Sequence, residues 1–266
     1  MRRALALLLL TGCGRTALAA EGSVYAWDPP DANVGVIVTA GFQIETRSRR
    51  CEGMRELDRE LAAVREIAGE LGLDIAFHFE DRGGIVFDDV AQHDVVVYHD
   101  GGWSNPGEPE TLATLRELAD AGRPLMFVGD DVAKHASRTA AQYGDPTLFQ
   151  LAELDVYIDN GDFGDGATVV DADHPVMDGP AGVVSAFEYA RDIDLAANGE
   201  RAATLMEIEG SGWPAVWVTE IELRRTMVMM ASAYTAAACP VSDEPGLASL
   251  HALLGNGLLW LLRENG

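Results

Sequence analysis

The stretch from Arg123 to Asp131 constrains the fold more than any other part of the chain. Leu125-Met126-Phe127-Val128 is an uninterrupted apolar run, preceded by Gly122-Arg123-Pro124 and closed by Gly129. A run this short and this apolar between turn residues reads as a strand buried on both faces. Helical patterns flank it, from Glu110 to Ala121 and from Ala133 to Tyr143. Helix, buried strand, glycine turn, helix is the arrangement that sets functional groups at the carboxyl edge of a parallel sheet. In many α/β enzymes the residue at such a turn is a nucleophile on a strand-to-helix elbow. Here the turn offers Asp130 and Asp131, and neither Ser nor Cys.

Three further runs have the same character: Val34 to Thr39, Ile75 to Phe79, and Asp94 to Tyr98. Between the first two, Met54, Leu57, Leu61, Val64, Ile67 and Leu71 recur at spacings of three and four, which predicts a helix from Glu52 to Leu71 with one apolar stripe. Repeated strand-helix units with β-branched strands predict an α/β fold, a doubly wound and mostly parallel sheet. Past Tyr143 the texture changes. Thr147 to Ile158 is apolar but irregular, and Asp159 to Gly166 reads as an acidic turn-rich loop. Its Asp159, Asp162 and Asp165 miss the alternating ligand spacing of a calcium loop. Short β-type runs at Thr168–Val170, Thr204–Ile208, Ala215–Val218 and Thr226–Ala231 predict an antiparallel C-terminal extension, and a helix from Leu247 to Leu262 closes the chain.

The first residues carry an address. Arg2 and Arg3 precede an apolar segment, Ala4 to Leu10, that is too short to span a bilayer. Two cleavage sites compete. Leu10-Thr11-Gly12-Cys13 resembles a bacterial lipobox, which would leave Cys13 lipidated; Ala17-Leu18-Ala19 fits the small-x-small rule of an ordinary signal peptide. Either way the expectation is export to a bacterial periplasm or cell surface, with residues 1–20 as leader, 21–32 as tether and 33–266 as one domain. Cys51 and Cys239 then remain as a candidate disulfide in an oxidising compartment, with two separate thiols as the alternative.

Charge narrows the partners. Forty-three acidic against 19 basic residues give a formal net charge of -24, so no basic stripe exists to neutralise phosphates and nucleic acid is excluded. The same charge disfavours anionic lipid heads, so contact with a membrane is expected only through the N-terminal lipid. A small polar ligand, an envelope protein or a second copy of the chain remain as partners. No cofactor motif and no metal-binding motif stand in the sequence.

Several segments together resemble the class I glutamine-amidotransferase-like superfamily, particularly its ThuA-like and trimerisation-domain-like branches. They are Asp94-Val95-Val96-Val97-Tyr98, the run Gly122 to Gly129, Asp173-His174-Pro175-Val176-Met177-Asp178-Gly179, Arg225 to Met229, and Asn256-Gly257-Leu258-Leu259-Trp260-Leu261. The resemblance implies a flavodoxin-like sheet over most of residues 33–263. It also implies a Cys in a Gly-x-Cys-x-Gly turn after the central strand, with a His and a Glu after a later strand. Gly129 matches the first glycine, but Asp131 stands at the Cys position, and the later strand runs out into Ala231-Ser232-Ala233-Tyr234 with no His. A thioester mechanism needs a polarisable nucleophile and a base within hydrogen-bond reach, so amidotransfer is not expected.

What remains at the expected carboxyl edge is Gln43, His99, Asp100, Trp103, Asp130 and Asp131, with His174 a further ligand-binding candidate. Two functions stay open. One is an exported, lipid-anchored binding or scaffold module without catalysis. The other is a hydrolase or isomerase acting on a carbohydrate or similar polar molecule through Asp100, Asp130 or Asp131 with His99 as acid and base. The plain alternative for Asp130 or Asp131 is a helix cap, a role Asp fills well.

Overall fold

A computed structural model of the chain describes residues 32–38, 64–80, 84–99, 107–129, 131–161, 166–188, 193–222, 224–230 and 244–263. In chain order the first half comprises β1 (Asn33–Val38), helix α1 (residues 64–70), β2 (Asp74–Phe79), a single turn α2 (Phe87–Val90), β3 (Val95–His99), α3 (Pro109–Asp120), β4 (Leu125–Val128) and α4 (Val132–Tyr143). The second half comprises α5 (Thr147–Leu151), β5 (Leu154–Gly161), β6 (Gly166–Val169), the two-residue strands β7 (Asp178–Gly179), β8 (Gly182–Val183) and β9 (Phe187–Glu188), then β10 (Ile193–Asn198), β11 (Ala203–Ile208), β12 (Pro214–Ile221), β13 (Arg224–Met229) and α6 (Glu244–Leu262).

One large sheet has the order β2-β1-β3-β4-β13-β12-β11-β6-β9. Pairing is parallel from β2 to β13 and antiparallel from β13 outward. Because successive side chains of a strand point to opposite faces, the buried runs supply two cores at once. Val34, Val36, Val95, Val97, Met126, Val128, Met227 and Met229 face α1 and α6, where Ile67, Leu250, Leu253, Leu254 and Leu258 meet them. Ile37, Val96, Tyr98, Leu125, Phe127 and Val228 face α3, α4 and α5, against Leu112, Leu115, Leu118, Ala133, Ala136 and Leu148. All four residues of β4 are buried, as the apolar run between glycines requires. The fold is α/β with a mostly parallel, doubly wound sheet and antiparallel C-terminal strands.

Two expectations change. The run beginning at Thr226 is not an outlying antiparallel strand. As β13 it pairs in parallel with β4, Val128 opposite Met229, and becomes the fifth parallel strand. A buried β-branched run reads the same in either orientation, so local sequence carries no sign of it. The irregular stretch Thr147–Ile158 resolves into α5 and most of β5, and Asp159-Asn160-Gly161 continue that strand instead of forming a turn. β5 pairs with β10 in a separate antiparallel ribbon, and register shifts at Leu195/Ala196 and Ala197/Asn198 break the two-residue period that would have announced it. The ribbon is fastened where Glu153 precedes it: the Arg201 guanidinium pairs with the Glu153 carboxylate, and Gly199 N–H donates to the Glu153 carbonyl at 2.6 Å.

α6 is locked by one amide. Asn256, almost fully buried, accepts from Ala181 N–H at 2.8 Å and donates to the carbonyls of Gly182 at 2.8 Å and Val176 at 3.2 Å. It thereby holds the β7–β8 hairpin on the helix. Asn256→Leu removes three bonds and leaves three partly to fully buried backbone groups facing an apolar side chain, so it is expected to cost about 2–4 kcal/mol. Urea unfolding should show the loss as a lower midpoint with an unchanged slope.

Candidate functional site

The parallel strands end level with one another. His99 closes β3 opposite Val128 of β4, and Val128 lies opposite Met229 of β13. The turn after β4 starts at Gly129, whose φ of 148° lies in the region that favours glycine and whose N–H donates to Met229 O at 3.1 Å. Three residues later α4 begins. A buried strand, a glycine turn and a helix over the carboxyl edge form the scaffold on which α/β enzymes mount an elbow residue.

Asp131 occupies that elbow. It is 7% exposed, and it stands at the N-cap position of α4 without capping the helix through its side chain. Its Oδ1 instead pairs with Lys134 Nζ at 3.2 Å, one helical turn on. The capping expectation for Asp131 is therefore right in position and wrong in mode. At φ −106° and ψ 16° the residue is outside the extended conformation typical of an N-cap, so the carboxylate serves the lysine. His99 is 2% exposed at the end of β3, with its side chain on the α1 and α6 face by strand alternation. Asp130, Asp100, Gln43 and Trp103 lie outside the described residues, as do Cys13, Cys51 and Cys239.

His174 is at the opposite edge. Its ring packs edge-on against Trp260, with centroids 5.5 Å apart, and the guanidinium of Arg225, near the amino end of β13, lies 5.6 Å from the same indole. His174 Nδ1 accepts from Val176 N–H at 3.2 Å, and burial pushes its pKa below the ordinary value. It is a turn residue at the amino edge and does not join the groups at the carboxyl edge, because the loop that carries it packs on the end of α6.

The structure adds a polar knot. Tyr98 OH and His135 Nε2 are 2.8 Å apart across the α4 side of the sheet. Thr139 Oγ1 donates to His135 O at 2.8 Å and accepts from Gly107 N–H at 2.9 Å. A Cβ on Gly107 would come within 3.2 Å of Tyr98 OH and 3.3 Å of His135 Nε2, so any side chain there would press on the pair by a few tenths of an ångström. Glu80, also buried, accepts from Glu108 N–H at the start of α3 at 3.3 Å, where helix polarity favours a carboxylate. These contacts hold the chain leading into α3 against α4. A signal was present in the sequence: Asp131, His135 and Thr139 fall at i, i+4 and i+8, one polar stripe on a helix that is otherwise apolar on that side. Among the described residues no group of three or more His, Cys, Asp or Glu side chains is placed to hold a metal ion.

No family model matches the sequence, and no curated protein matches it. Solved structures do match in three dimensions. A cytoplasmic protein from Salmonella typhimurium superposes with a TM-score of 0.56 at 17% identity, over 85% of this chain and 98% of its own. A glutamine amidotransferase from Thermotoga maritima gives 0.54 at 11% identity, over 88% and 99%. The chain has the class I glutamine-amidotransferase-like fold. A ThuA-like protein from Parabacteroides merdae agrees, at 0.52 and 14% identity over 88% and 92%. Identities this low speak to the amidotransferase-like fold and leave the chemistry to be argued from the residues.

If Asp131 is there for Lys134, removing one partner alone should hurt more than removing both. Lys134→Met takes the ammonium away from a nearly buried carboxylate, and is expected to cost about 1–3 kcal/mol. Asp131→Leu with Lys134→Met should recover most of that loss in a double-mutant cycle read by thermal unfolding.

Proposed function

We propose that the chain is an exported, lipid-anchored binding or scaffold module that uses an amidotransferase-like fold without amidotransferase chemistry. One observation carries this reading. The elbow position after β4 holds Asp131 in an ion pair with Lys134, and the neighbouring strand β13 leads into Ala231-Ser232-Ala233-Tyr234. In the resembled superfamily those two places, side by side on adjacent parallel strands, hold the nucleophile and its base. Here one is an acceptor already engaged by a cation, and the other has no imidazole. A carboxylate paired with an ammonium does not stand in for a polarisable thiolate with an imidazole base.

The anchor rests on Leu10-Thr11-Gly12-Cys13 behind a basic, apolar leader. In this reading lipidated Cys13 attaches the domain to the membrane. The ligand is a polar small molecule or an envelope protein, received at the carboxyl edge, where open α/β sheets bind their ligands. The alternative hydrolase or isomerase draws on His99, which ends β3 at the level of the elbow.

A thermal-shift panel of sugars on the leaderless protein separates the two. Binding without catalysis predicts that any sugar raising the melting temperature is recovered chemically unchanged after prolonged incubation, by mass spectrometry. Conversion of that sugar, abolished in Asp131→Ala or His99→Ala, would establish the enzyme. For the anchor, cells fed an alkyne-tagged fatty acid should label the wild-type protein and not Cys13→Ser. An unlabelled wild type whose mature chain starts after Ala19 would show the ordinary signal peptide instead.

A further inference from the structure

At the edge of the parallel sheet among the described residues, β2 is tied to the rest of the fold by more than its ladder with β1. A chain of three side chains crosses over β1 to reach it. Asn33 Oδ1, on β1, is 2.8 Å from His93 Nδ1, just ahead of β3; His93 Nε2 is 2.8 Å from His78 Nε2, on β2. The His93 ring lies directly on Gly35 of β1, where any Cβ would overlap it, so the strand gives up a side chain to seat the ring. His93 is only 4% exposed.

Chemistry assigns the protons. An amide oxygen only accepts, so His93 carries its hydrogen on Nδ1 and presents a lone pair at Nε2. Two donors are aimed at that lone pair, His78 Nε2–H and, at 3.3 Å, the Gln92 amide, which also donates to Asp89 O at 2.8 Å. The ring centroids are 5.0 Å apart, close to the full reach of one hydrogen bond plus the two rings, so the nitrogens face each other head-on. A shared metal ion would need both lone pairs converging on a third point. The contact is an N–H···N hydrogen bond.

We propose that His78 and His93 form a proton-operated latch on the edge strand, closed while they share one Nε2 proton and opened when His93 takes its own. The first added proton goes to His78 Nδ1. It leaves the Nε2–H···Nε2 bond in place and makes it charge-assisted. The second has only His93 Nε2 to occupy, and it sets N–H against N–H and cation against cation. The bond is then lost and β2 loses its tie across β1.

The charged neighbours are few. Asp89 of α2 favours charging of His78, Asp94 favours charging of His93, and Arg123 is held on the carbonyl of Ala91 between them and α3. Burial outweighs the carboxylates, and the charge on His78 adds to it for His93, so both imidazoles lie below the ordinary 6.5. The folded chain thus binds fewer protons than the unfolded one. The stabilisation is complete above pH 6.5 and declines as the pH falls through 6.5 toward the lowered folded values.

Two measurements on the folded protein test the latch. Long-range ¹H–¹⁵N spectra of the histidine rings should show His93 bare at Nε2 at pH 7.5 and protonated there only after His78 has charged. Native-state hydrogen exchange, corrected for intrinsic rate, should show protection of residues 74–79 falling by up to about tenfold per histidine for each pH unit from 6.5 down toward the lowered folded values, while residues 125–128 hold. His78→Gln keeps a donor that can turn its oxygen to a protonated His93, so it should flatten the acid loss at 74–79. A His93 ring carrying its proton on Nε2 at pH 7.5 overturns the proposal. So does edge-strand protection that tracks the centre at every pH, or an acid profile in His78→Gln equal to that of the wild type.

Discussion

The rest of the molecule depends on β4 being buried on both faces. Leu125 and Phe127 are committed to one core, Met126 and Val128 to the other, and β3 and β13 hydrogen-bond it on either side. A strand held in this way cannot slip by one residue without turning both cores inside out. Its end is therefore a fixed point. Gly129 is clamped to Met229, α4 is launched from a set position, and whatever residue follows the glycine turn stands at the carboxyl edge.

Given that fixed point, the identity of the elbow residue decides what the site can do. The fold supplies the strand, the glycine and the helix, and the chain then places Asp131 there with Lys134 one turn away. The polar groups around it are tied as well: Tyr98 to His135, Thr139 to Gly107, Glu80 to Glu108. These bonds fix the loops around the elbow. The amino edge is equally committed to structure, with Trp260 between His174 and Arg225, and Arg225 donating to the carbonyls of Trp260 and Arg263 at the end of α6.

How far the sequence could be read follows from the range of each signal. The strands β1 to β4 and helices α3 and α4 announce themselves through local runs, and their bounds fall within a residue of expectation. The place of β13 beside β4 does not, because nothing near Arg224 records a pairing with residues about a hundred positions earlier. The β5–β10 ribbon is hidden by bulges and by Asp155, Asp159 and Asp194, which blur its alternation. At the site, the elbow position of Asp131 was legible from the glycine before it, whereas its partner was not, since i+3 pairing and capping look alike in sequence. His78, His93 and Asn33 come from three segments and meet only through the order of β2, β1 and β3.

The central claim is that the elbow has lost its chemistry on both sides, at Asp131 and beyond Met229. Glutamine hydrolysis by Asp131→Cys, followed as released ammonia on protein whose near-ultraviolet circular dichroism matches the wild type, tests this most directly. Restoring the thiol alone leaves the run after β13 without its imidazole, so the rate should stay at that of buffer for both the variant and the wild type. Ammonia release above that rate from either protein would contradict the account.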